Sequence, residues 1–130
     1  MHTATVCAGI LGLLVFGLGM GVSLTRGATN TVIGYNPDPT DRLYKMVRAH
    51  GNATEYNPML AVLMIYLATR GPASWVLWVF AVAAASRVLH AAGMILSPSL
   101  AKPQPLRAIG AVGTYVTGLI LSIEAVLLTG

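Results

Sequence analysis

Residues 48–69 read RAHGNATEYNPMLAVLMIYLAT. The first half, Arg48 to Pro58, carries an arginine, a histidine, a glutamate and two asparagines, and the second half is an unbroken apolar run. A chain that needed water around this segment would alternate polar and apolar residues along its whole length. This one places its costliest side chains at the mouth of a greasy helix.

The rest of the chain explains the solvent. Of its 130 residues, 55% are hydrophobic and only 9% charged, against about 25% charged in ordinary soluble domains. Too few charges remain to cover a water-facing surface, so lipid is the expected solvent. Net charge is +4, from 8 Lys+Arg against 4 Asp+Glu. The basic residues form no run or stripe, which argues against nucleic acid; they fall between apolar segments, as membrane-flanking charges do. The lone cysteine, Cys7, excludes an internal disulfide and reads as a packing or lipid-facing residue. No metal-ligand spacing, phosphate loop or Ser/His/Asp set is present.

Four spans are expected, at about residues 4–24, 44–69, 73–96 and 106–128, in a single domain covering 1–130. The first is free of charge from Ala4 to Leu24, about 31 Å of helix and enough to cross a bilayer core. It lacks the basic start of a secretory signal and reads as a retained span. Gly- and Pro-containing breaks separate the spans, and short second and third links make neighbouring helices antiparallel. Because lipid cannot satisfy an open backbone, the fold class is an all-α, integral membrane, four-helix antiparallel bundle. Arg26, Arg42, Lys45 and Arg48 edge the first loop and Lys102 and Arg107 the third, so both loops are expected to face the cytoplasm and both termini the opposite side.

At about 100° per residue, Arg48, Asn52 and Glu55 share one helix face, with Tyr56 beside it and His50 on the opposite side. Pro58 suggests a kink next to this cluster. The third span adds Arg87 and His90, again read as one face. With Gly71 as the turn, Glu55 and Arg87 each lie 16 residues away, and Asn52 and His90 each 19. Two pairs at matching depths follow, Glu55/Arg87 and Asn52/His90. An unpaired charge mid-bilayer costs on the order of 2.5–3.5 kcal/mol on insertion scales, and intramembrane ionisable groups are candidate functional groups. Arginines at the mouth favour carboxylates or phosphates, while Glu55 and Asn52 favour an amine or amide. The pocket therefore suits a small zwitterion carrying a carboxylate, and its lipid-like walls suit an apolar second substrate.

The stretch RAHGNATEYNP resembles the signature of the MAPEG family, the membrane-associated proteins in eicosanoid and glutathione metabolism, roughly R-A-x-x-N-x-x-E-Y-x-P at the start of the second helix. The four-span pattern, Arg26 at the end of the first helix and SRVLHAAGM in the third extend the resemblance over nearly the whole chain. It implies a homotrimer in the lipid bilayer that binds glutathione as co-substrate between protomers near the cytoplasmic face. By motif position the binding residues are Arg48, Asn52, Glu55 and Tyr56, with His50 contributing and Arg26 reaching in from a neighbouring subunit; Arg87, matched in depth to Glu55, joins them as a candidate binding residue. The implied activity is a glutathione S-transferase or glutathione-dependent peroxidase acting on lipophilic electrophiles. Characterised transferases carry a tyrosine where His90 stands and another aromatic where Met94 stands, and their thiol-stabilising arginine has no clear counterpart. His90 and Lys102 are the candidate activating residues. The alternatives are a non-catalytic membrane scaffold or ligand-binding subunit of the same fold and, ranked last because the first span holds no acid, a small four-helix exporter.

Overall fold

The computed structural model describes residues 1–128. Four helices follow in order: α1 (His2–Thr29), α2 (Arg42–Thr69), α3 (Ser74–Leu96) and α4 (Pro105–Leu127), with no strand among the described residues. The antiparallel four-helix bundle expected from the sequence is the one observed. α1 pairs chiefly with α2 and α3 with α4; α2 and α3 meet across the middle, while α1 and α4 stay apart.

Each helix boundary has a local cause. Asp41 caps α2 by accepting the Tyr44 N–H at 2.8 Å, and Gln104 caps α4 through the Arg107 N–H, with Pro105 behind it at the first helical position. α1 runs past the expected Leu24 to Thr29, because Arg26 lies at its end and turns outward to the loop. It stops where Asn30 adopts a left-handed conformation, φ 51°. Gly71, φ +67°, makes the tight link between α2 and α3. α2 continues through Pro58.

Three helices, α1, α3 and α4, are long and apolar enough to cross a membrane. α2, expected as a fourth span, is not in that class by composition: Arg42, Lys45, Arg48, Asn52 and Glu55 dilute its first half. At 28 residues it is still about 42 Å long, and its apolar second half joins the core, where Leu60, Met64 and Leu67 pack with Leu11, Phe80 and Leu121. The outer faces carry the opposite pattern to a soluble protein: Leu13, Phe16, Trp78, Leu119 and Val126 are all exposed, as expected of surfaces solvated by lipid.

The two ends of the bundle differ in charge. Arg26, Arg42, Lys45, Lys102 and Arg107 gather where α1 and α3 end and α2 and α4 begin; among the described residues Arg70 is the one Lys or Arg at the other end. Lys45 Nζ donates to the Ser97 carbonyl at the end of α3, and Leu100 N–H donates to the Pro39 carbonyl, so the two loops at this end are tied together. Both acids there serve their own turns. Asp41 is the α2 cap, and Asp38 accepts the Thr40 N–H and hydroxyl, each at 2.8 Å, which hold its carboxyl below the usual carboxylate range.

α3 and α4 touch through glycine. A β-carbon at Gly110 would lie 2.5 Å from the His90 backbone nitrogen, and one at Gly93 would lie 2.5 Å from that of Arg107. No rotamer change relieves a clash with backbone, so a side chain at either place must push the helices apart. Gly110→Ala is therefore expected to destabilise the protein by about 1–3 kcal/mol. Gly12→Ala in α1, whose β-carbon would meet nothing within 4 Å, should be neutral or stabilising by up to ~1 kcal/mol. Thermal unfolding in detergent compares the two; equal losses would show that the α3–α4 contact is looser than this geometry requires.

Candidate functional site

The centre of the bundle holds Arg87, 2% exposed and about halfway along α3. Its Nε donates to Asn57 Oδ1 at 2.8 Å. Nη2 donates to Asn52 Oδ1 at 2.7 Å and to the Asn52 carbonyl at 3.1 Å, and Nη1 to Thr114 Oγ1 at 3.4 Å. Tyr56 places its ring face 5.2 Å from the guanidinium carbon and in turn packs edge-on against Tyr115 of α4. α2 supplies most of this cradle because residues 52 and 56 are four apart and stack on one face, and α4 completes it from Thr114.

Among the described residues no ion pair joins Glu55 to Arg87. The depth reading is right, since Arg87 reaches the 52–57 turn of α2, but the partner is not the expected one. Glu55 points outward and is exposed, and the inward positions of the same turn are occupied by Asn52 and Asn57. Nor do Asn52 and His90 pair. Three helical residues turn a side chain by about 300°, so with Arg87 aimed at α2, His90 is rotated toward α4. There its Nδ1 meets the Arg107 carbonyl at 2.9 Å. A carbonyl only accepts, so Nδ1 carries a proton and donates it there. His90, Gln104 and Arg107 line a separate cleft of ≈ 450 Å³ on that side.

The other residues picked out from the sequence are spread around the basic end. Arg48 is exposed on α2. His50 lies on the far side of α2 against α1, with its Nε2 3.1 Å from where a Gly19 β-carbon would stand. Arg26 is folded onto its own loop, donating to the Thr31 and Gly34 carbonyls at 3.3 and 2.8 Å. Lys102 is exposed in the α3–α4 loop, and its carbonyl accepts from Arg107. Within one chain, then, Asn52, Tyr56 and Arg87 come together, with Glu55 and Arg48 on the outer side of the same helix. Arg26, His50, His90 and Lys102 do not join them.

Asn57, Thr114 and Tyr115 belong to the cluster and were not singled out from the sequence. Asn57 is 1% exposed and bridges three helices: besides accepting from Arg87 it donates from Nδ2 to the Leu11 carbonyl of α1 at 3.0 Å. A second asparagine at the border between the polar half of α2 and its apolar run is the signal that could have found it. Between α2 and α4 a groove of ≈ 560 Å³ leads away from this cluster. Glu55, Tyr56 and Tyr115 stand at its polar end, and Met59, Leu63 and Leu119 form its apolar wall. No group of three or more potential metal ligands occurs among the described residues.

The model of the MAPEG family matches residues 4–127, nearly the whole chain, and the chain belongs to that family. No curated protein and no solved structure matches it.

Arg87 binds three helices at once, so its removal orphans Asn52, Asn57 and Thr114 together. Arg87→Met, which keeps volume and apolar stem, is expected to lower stability by about 1–3 kcal/mol. Arg87→Lys should recover little of this, since an ammonium cannot reach both asparagines in the fork geometry. Unfolding in detergent is the check, and a lysine variant as stable as the wild type would show that the fork is dispensable.

Proposed function

From its membership of the MAPEG family, we propose that the chain is a glutathione-binding membrane protein that uses glutathione as co-substrate, as a transferase or peroxidase acting on lipophilic electrophiles, in a homotrimer. The observation that carries this reading is the α2 face: an exposed arginine and an exposed glutamate, Arg48 and Glu55, flank Asn52 and Tyr56, directly above a buried guanidinium. Glutathione has two carboxylates, one amine and two amides. Arg48 suits a carboxylate, Glu55 the amine, Asn52 an amide. The bases of the same end face no free acid of their own loops, because Asp38 and Asp41 are used in turns. In a trimer, Arg26 and His50 of a neighbouring copy would complete the pocket, and the basic end would face the cytoplasm.

The thiol of glutathione is the reacting group, and nearby positive charge favours its thiolate. In a transfer reaction the sulfur attacks an electrophilic carbon that enters from the bilayer, along the α2–α4 groove. A C–S bond forms and the leaving group departs. In a hydroperoxide reduction the sulfur attacks the terminal oxygen, the O–O bond breaks and the alcohol leaves. A second glutathione then displaces water from the sulfenic acid to give the disulfide. Lys102 and His90 remain the candidates for assisting thiol ionisation, and neither contacts the α2 face within one chain. That separation favours a second reading, a non-catalytic glutathione-binding or scaffold subunit of the same fold.

Isothermal titration of the purified protein with glutathione should show saturable binding. Arg48→Ala and Glu55→Ala should each weaken it by about tenfold or more, the worth of a hydrogen bond to a charged group. Both side chains are exposed, so the fold should survive. Rates of conjugation and of hydroperoxide reduction, compared with Arg48→Ala, then separate the two readings. Binding without turnover selects the non-catalytic glutathione-binding subunit; no binding by the wild type removes the glutathione reading and leaves a scaffold.

A further inference from the structure

Every atom that Arg87 touches is neutral. Its acceptors are two asparagine side chains, one backbone carbonyl and one threonine hydroxyl, and its ring neighbour is a tyrosine. The titratable groups around it are Glu55 and Tyr56 from α2, Tyr115 from α4 and His90 on its own helix, while α1 presents only the Leu11 carbonyl, through Asn57. Glu55 is the single carboxylate among them, and it is exposed and outside ion-pair range. The bundle thus satisfies the geometry of a guanidinium while giving it no contact ion pair among the described residues; Glu55 acts on it only from a distance. In an apolar interior such a charge acts over several ångströms with little screening.

Asn57 decides this. Its Nδ2 faces a carbonyl that can only accept and its Oδ1 faces an Nε–H that can only donate, so the amide has one allowed orientation. An aspartate would fill the same space and still accept from Nε, and it would cancel the charge, though it would lose the donor to the Leu11 carbonyl and set an oxygen against it. We propose that Asn57 matters here by being neutral: as an amide among the groups that hold Arg87, which Asn52 and Thr114 also hold, it leaves the positive charge available to an anionic ligand on the Asn52–Tyr56 face. The proposal rests on the glutathione reading in that the anion it serves is the thiolate of that ligand.

Three variants separate charge from scaffolding. Asn57→Asp adds one negative charge in the same shape. Asn57→Leu removes the hydrogen bonds and adds no charge. Arg87→Gln removes the positive charge. With glutathione bound to the full-length protein in detergent, the ultraviolet absorbance of the thiolate is followed against pH. Asn57→Asp and Arg87→Gln should each raise the apparent thiol pKa, lowering the thiolate fraction at neutral pH by up to about tenfold, one pK unit. Asn57→Leu should titrate close to wild type although it is less stable. A purely structural role predicts instead that thiol ionisation follows stability, with Asn57→Leu the most affected.

Should Asn57→Asp not fold, Arg87→Gln carries the same test, and a wild-type titration in either variant overturns the proposal. Melting temperatures taken without glutathione provide an arm independent of the ligand. Asn57→Asp, which pairs a buried cation, should melt above Asn57→Leu; the reverse order overturns the unpaired-charge reading. Absence of glutathione binding by the wild type would instead remove the functional reading and leave this comparison intact.

Discussion

A guanidinium has to be housed inside a bundle of apolar helices, and the arrangement of this protein follows from that requirement. Placing a charge at mid-membrane depth costs a few kcal/mol even on lenient scales, and Arg87 is all but inaccessible. Its planar fork asks for acceptors in fixed directions, and α2 and α4 supply them through Asn52, Asn57 and Thr114. Three helices are thereby locked in one register by a single side chain, and Asn57 extends the lock to the fourth through Leu11. Apolar packing alone could not do this in lipid, where neighbouring helices lose little by exchanging protein contacts for acyl chains.

The same requirement gives the glycines of the α3–α4 seam their purpose. Thr114 lies one turn beyond Gly110 and returns its own hydroxyl proton to the Gly110 carbonyl at 2.7 Å. Its oxygen meets Arg87 only because α4 presses against the α3 backbone at His90. It also accounts for the composition of α2. A helix that must carry two asparagines inward and an arginine and a glutamate outward loses the hydropathy of an ordinary span, and it borrows its membrane environment from α1, α3 and α4.

Much of this was legible in the sequence. The four helices and their antiparallel order follow from apolar runs separated by Gly- and Pro-containing breaks. Counting outward from Gly71 placed Arg87 opposite the polar turn of α2. The errors come from the angular step. Glu55 and Arg87 share a depth, but depth does not say which residue of a turn points inward, and in a helix that packs against α1 and α3 the inward positions are 52 and 57. Arg87 and His90 were read as one face; three residues leave them about 60° apart, enough to divide them between α2 and α4. Asn57 lies about 140° from Asn52, off the face traced by Arg48, Asn52 and Glu55, so a helical wheel does not group it with them. Its role depends on the Leu11 carbonyl, which no local pattern reveals.

The identity of Arg87's partners also bears on why Glu55 is exposed. Had Glu55 turned inward, the two charges would have cancelled, and the centre of the bundle would be a neutral ion pair with no call on any ligand. With asparagines doing the structural task, the carboxylate stays at the mouth of the α2–α4 groove and the cation beneath Tyr56. One helical turn therefore presents a negative group outward and a positive field inward, with Arg48 a further turn toward the basic end. On the proposed reading, that spacing of opposite charges is what a zwitterionic peptide requires, and the groove's apolar wall brings its thiol next to molecules dissolved in the bilayer. A water-soluble nucleophile and a lipid-soluble electrophile meet only at a boundary between the two solvents, and the half-polar, half-apolar α2 is such a boundary built into one helix.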